Sequence, residues 1–105
     1  MKLRQMPIPE AALRDSDAVE MLRVWIAERG LHCSMKVGMY REITNIPEEK
    51  AWGKILADVA RHMARALNVD QHNNSSASLE QIVANFMQEL DAPTSELKGE
   101  FVKHH

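Results

Sequence analysis

A single cysteine, Cys33, in 105 residues leaves no possibility of an intramolecular disulfide. Charge of one sign is also lacking. Thirteen basic residues against 15 acidic ones leave a formal net charge of −2, so no whole-molecule field recruits phosphate backbones or an anionic membrane. Neither nucleic acid nor a membrane is expected as a partner. No apolar run approaches the ~18 to 20 residues that span a bilayer. Pro7, Pro9 and Glu10 interrupt the segment after Lys2 and Arg4 where a secretory leader would need an unbroken apolar stretch. These absences point to a cytoplasmic protein. What remains, 45% hydrophobic and 27% charged residues, is ordinary globular composition, and two separate cores in so short a chain would each be too small to be stable. One domain over residues 1–105 is expected, without internal repeats.

The prolines of Met6-Pro7-Ile8-Pro9 forbid a regular helix, so residues 1–14 read as an extended arm. Asp15, Ser16 and Asp17 are candidate N-caps. Ala18, Met21, Leu22, Trp25 and Ile26 follow at helical spacing, which predicts a first helix stopped by Gly30. Leu31, Cys33, Met35, Val37 and Met39 alternate with His32, Ser34, Lys36, Gly38 and Tyr40, a period of two that predicts a strand over residues 31–40. Residues 42–46 and 99–103 are short candidates to pair with it.

Pro47 followed by Glu48 and Glu49 marks a helix start. Trp52, Ile55, Leu56, Val59, Met63, Ala66 and Leu67 then keep the helical period for about five turns. Gly53 inside that helix costs ~1 kcal/mol relative to alanine, which is understandable if another backbone approaches there. Residues 68–77 read as an exposed polar loop. Ser78-Leu79-Glu80-Gln81 fits a capping box and opens a third helix that ends before Ala92-Pro93. Residues 92–105 form a C-terminal tail, whose closing His104-His105 is either native or tag-derived.

The wording of several segments resembles a small bacterial family catalogued only as a domain of unknown function. The segments are Pro7 to Leu13, Val19 to Ala27 and Leu31-His32-Cys33, then Ala51-Trp52-Gly53, Leu56-Ala57-Asp58-Val59-Ala60-Arg61-His62, Glu89-Leu90-Asp91 and Gly99 to Val102. Residues 40–46 depart from the family pattern, which puts a second strand there in doubt. The resemblance implies no activity, cofactor or catalytic residue.

Among candidate constellations, Asp58 and His62 lie four apart on the second predicted helix, a spacing used at metal sites. A third ligand is missing, so a surface hydrogen bond or ion pair is the better reading, and no metal or cofactor is expected. Arg61 and Arg65 flank that pair and could receive an anion, although local Asp58–Arg61 pairing explains Arg61 more simply. His32, Cys33 and Met35 are soft ligand types for copper(I), but strand geometry points His32 away from the other two. Cys33 with His62 offers thiol plus base, with nothing local to activate the thiol. Met21, Met35, Met39, Met63 and Met87 could line an adaptable groove, or more simply fill a core. Trp25 and Trp52 read as core anchors.

The expectation is an α+β domain in which three helices pack on one face of a small antiparallel sheet. Because partners for the long strand are short, pairing of two copies about a twofold axis, or strands from the termini, is expected to complete that sheet. The absence of recognisable chemistry favours a noncatalytic module that binds itself or another protein. The alternative is a small-ligand binder or enzyme with a cleft formed by Asp58, Arg61, His62 and Cys33.

Overall fold

The computed structural model describes residues 2–71 and 74–103. In chain order the elements are α1 (Glu10–Arg14), β1 (Leu22–Ala27), β2 (Gly30–Val37), α2 (Met39–Ile43), α3 (Glu48–Gln71), α4 (Ser75–Asp91) and β3 (Gly99–Lys103). The class is α+β, as the periodicities imply. The loop expected over residues 68–77 falls at positions 72–73 outside the described residues, as do His104 and His105.

The alternating segment forms β2 as far as Val37, while Met39 and Tyr40 at its expected end belong to α2, and β2 is the central strand of a three-stranded sheet ordered β1-β2-β3. On one edge it pairs antiparallel with β1, from Leu22 opposite Met35 to Ala27 opposite Gly30. On the other it pairs parallel with β3, from Cys33 opposite Gly99 to Val37 opposite Lys103. The sheet is therefore mixed rather than antiparallel. A parallel neighbour requires a crossover, and residues 38–98, carrying α2, α3 and α4, supply it.

Two expectations fail here for physical reasons. The segment predicted as a first helix is mostly β1. Leu22, Trp25 and Ile26 suit a helical stripe, but Leu22, Val24 and Ile26 also alternate with Arg23, Trp25 and Ala27, and six backbone partners on β2 decide between the periods. The β1–β2 connection is the two-residue turn Glu28-Arg29, with φ of 48° and 64°. That left-handed pair matches the right-handed twist of a hairpin, yet costs these side chains roughly 1–2 kcal/mol each. Residues 42–46 form no strand either. Met39–Ile43 is a short helix, entered through Gly38 at φ 93°.

The two later helices follow their patterns closely. Helix α3 starts one residue after Pro47, whose carbonyl accepts the Ala51 N–H at 3.1 Å. It runs past the expected stop at Leu67 to Gln71, about 36 Å in all. Helix α4 begins at Ser75, four residues earlier than the capping-box reading, which makes Ser78 the cap. The Asn74 side chain caps it by accepting from Ser76 N–H at 2.8 Å and Ala77 N–H at 3.4 Å. It ends at Asp91, before Pro93. The N-terminal arm contains one helical turn, α1, rather than extended chain throughout.

The helices α3 and α4 lie against each other, and Ala64 is buried in α3. Ala51 and Ala64 are the only buried hydrophobic residues described, and no described strand side chain is fully buried. No backbone approaches Gly53. A methyl group there would meet nothing within 4 Å. Gly99 is the opposite case, because its φ is +119° and a Cβ would collide with the Cys33 carbonyl oxygen and amide nitrogen.

Gly53→Ala should raise stability by about 0.5–1 kcal/mol, seen as a melting temperature at least ~2 °C higher by circular dichroism. Gly99→Ala should lower stability by about 2 kcal/mol and release β3, detected as accelerated amide exchange at Cys33, whose N–H donates to the Lys98 carbonyl at 3.0 Å.

Candidate functional site

Side chains paired across a ladder share a face, so the two registers assign every strand residue to one side of the sheet. One face collects Leu22, Val24 and Ile26 from β1, Leu31, Cys33, Met35 and Val37 from β2, and Phe101 from β3. All three strands give it apolar side chains, and Lys103, opposite Val37, is the one charged residue the register adds, at its end. Ile26 is 82% exposed, Phe101 62% and Val24 51%. The other face carries Arg23, Trp25, His32, Ser34, Lys36, Glu100 and Val102. The Arg23 side chain pairs with Glu20 at 3.0 Å. The buried His32 Nε2 has no hydrogen-bond partner.

A second apolar surface runs along the helical hairpin. Leu56, Val59 and Met63 of α3 are 41–50% exposed, and Val83, Phe86, Met87 and Leu90 of α4 are 47–65% exposed. Helix α4 turns Leu79 and Ile82 inward to half-burial, so its apolar stripe is wider than its contact with α3. Met63 and Met87 belong to this open stripe, and Met21, Met35 and Met39 are only half-buried. A methionine-filled core is thus not what these residues build.

Carboxylates fix the chain where it enters α3 and where it leaves α4. Glu48, in the first turn of α3, accepts the Gly38 N–H at 2.8 Å and the Arg41 N–H at 3.0 Å, and so caps α2 from outside. The Gly38 bond is the main cause holding its carboxyl below the ordinary glutamate range. Partial burial opposes that shift, and the amides of Arg41 and Tyr40 and the nearby Trp52 indole reinforce it. The indole N–H faces the carboxylate without completing a hydrogen bond of its own. At the other end Glu89 accepts from the Thr94 hydroxyl at 2.6 Å and the Thr94 N–H at 2.9 Å, which lowers its pKa and fixes the exit of α4.

The residues of the alternative ligand cleft occupy two different elements. Asp58 and Arg61 form an exposed ion pair at 3.7 Å on α3, beside an exposed His62. Such a pair contributes little. Cys33 sits half-buried in the sheet, opposite Val24 and Gly99. One shallow depression is lined by residues 20–23 and 34–36 with Val102, and another by Ser76, Leu79, Glu80, Val83 and Ala84. Neither includes any of the four. Among the described residues no three His, Cys, Asp or Glu side chains are grouped to hold a metal ion, and no helix is long and apolar enough to cross a membrane. A helical reading of the sequence omits Val24 and groups Ile26 with Trp25, whereas the sheet puts Val24 and Ile26 on one face and Trp25 on the other. Their β-branched side chains alternating with Arg23 and Trp25 are the signal that would have found them.

Because the folded pKa of Glu48 is depressed, its stabilisation is complete above the unfolded value of about 4.5 and disappears as pH falls through the lower folded value. Glu48→Gln should therefore be less stable than the wild type at pH 7. The difference in denaturant midpoint should close as the pH is taken below 4.5 in a series of melts.

No curated protein matches this chain. A solved structure from the photosynthetic bacterium Rhodopseudomonas palustrus CGA009, provisionally named a pyruvate dehydrogenase, is similar to it. The identity is 29%, the TM-score is 0.67, and the match covers 90% of this chain and 91% of that one. A family profile described as "Domain of unknown function (DUF5076)" matches residues 5–94. With most of its length matched, the chain belongs to the DUF5076 family.

Proposed function

We propose that this protein is a noncatalytic interaction or assembly module of the cytoplasm, and that the apolar face of its sheet is the surface that binds another protein chain. The observation that carries this reading is the continuity of that face. All three strands contribute apolar side chains to it, and Ile26 and Phe101 stand mostly in solvent. Contiguous apolar patches beyond a few hundred Å² are uncommon on monomers and mark binding surfaces. A lone cysteine, which can form no disulfide within the chain, favours a reducing compartment.

The small-ligand alternative has less support. Asp58 and Arg61 neutralise each other on an exposed helix face, and Cys33 belongs to the sheet. Pyruvate dehydrogenase is the name of the Rhodopseudomonas palustrus protein. Carried to this chain, it would call for an enclosed substrate cleft, and the depressions described here are shallow.

The test is affinity purification of the tagged full chain from its natural cell, alongside Ile26→Glu. The exposure of Ile26 makes that substitution compatible with folding, which circular dichroism checks. A stoichiometric protein partner, a second untagged copy included, should accompany the wild type and be lost from the variant. An unchanged partner set in the variant, or turnover of pyruvate by the pure wild-type chain, would overturn the reading.

A further inference from the structure

The accessible surface of the chain is 9444 Å², against the about 6,000 Å² expected of a folded monomer of this mass. Its radius of gyration is 15.8 Å, against about 13 Å for a globule of this length. The exposed N-terminal arm accounts for part of the excess. The two open apolar surfaces, one on the sheet and one on the α3–α4 hairpin, account for another part.

We infer that the occupant of the sheet face is the α3–α4 hairpin of a second copy of this chain, and that the exchange is reciprocal about a twofold axis. This inference rests on the interaction-module reading and names its partner. The area fits, since obligate dimers bury about 2,000–5,000 Å² in total, or 1,000–2,500 Å² per chain, and the excess here is larger than that per-chain loss. The chemistry also fits. Both surfaces are aliphatic and aromatic, and a sheet paired with a helix layer is an ordinary two-layer core.

Closure chooses among the possible contacts. Sheet against sheet would leave Val59, Met63, Phe86 and Leu90 in water, and hairpin against hairpin would leave Ile26 and Phe101 there. Reciprocal sheet-to-hairpin contact covers both with two chains and ends in a closed, isologous dimer. The packing of α3 against α4 within each chain presents the hairpin as one preformed body. The edges of β2 are occupied within the chain, so the twofold strand pairing expected from the sequence has no free edge on that strand to use.

The experiment uses pure full-length chain in analytical ultracentrifugation, with a sheet variant (Ile26→Glu with Phe101→Glu) and a hairpin variant (Phe86→Glu with Leu90→Glu). The wild type should be a dimer, and each variant alone should have its dimer Kd raised at least ~100-fold. A mixture of the two variants should regain dimer, because the intact sheet of one faces the intact hairpin of the other. A strictly monomeric wild type at high concentration would overturn the second-copy inference while leaving the purification from the natural cell to decide the module reading. A hairpin variant that dimerises as well as the wild type, or a mixture that regains nothing, would overturn the reciprocal arrangement. Should a variant unfold, a wild-type dimer of isotope-labelled and unlabelled copies gives the same decision. Intermolecular NOEs between Ile26 or Phe101 and Phe86 or Leu90 support the inference, and NOEs across two sheets sink it.

Discussion

Everything in this chain is organised by the need of one strand to have its main chain hydrogen-bonded on both sides. Residues Gly30–Val37 carry donors and acceptors that cannot be left without partners in a folded layer. An antiparallel partner immediately upstream satisfies one edge, and a parallel partner from the far end of the chain satisfies the other. The second pairing brings the C-terminal strand beside the middle of the chain. It forces the helices between them into a crossover, and it demands glycine at position 99, where a side chain would strike the β2 backbone.

The same pairing sorts side chains. With both registers set, apolar residues from three separate segments fall on one face and a mixed set with Arg23, His32, Lys36 and Glu100 on the other. Meanwhile the carboxylate of Glu48 ties the first turn of the long helix to the end of β2. The hairpin then buries little beyond Ala51 and Ala64. A chain that leaves this much aliphatic surface in water has a strong hydrophobic incentive to associate, and that incentive is the physical basis of the proposed assembly role.

Much of this fold was legible in the sequence. The alternation in β2, the start of α3 at Pro47 and the end of α4 before Pro93 follow from periods and punctuation that act within a few residues, whereas residues 99–103 were only a short candidate strand in a polar tail. The limits at Gln71 and Ser75 were less so, because the polar stretch between them supports helix ends as readily as a loop. The candidate surface was only half visible. Its β2 residues lay on an obvious strand, but Val24 and Ile26 were hidden in a segment that satisfies two periods at once. Helical spacing put Asp58, Arg61 and His62 on one helix and alternation put Cys33 on a strand, but whether the two elements meet depends on contacts that no local pattern encodes.

The amino-acid order by itself determined the α+β class, the central strand and the two long helices, because backbone propensity, capping and proline geometry are local forces. The tertiary structure alone decided that residues 22–27 are a strand, that Glu28 and Arg29 adopt left-handed conformations, and that the sheet is mixed. Those outcomes depend on pairing energy between segments distant in sequence, which outweighs local preference and is written in no single stretch of the chain.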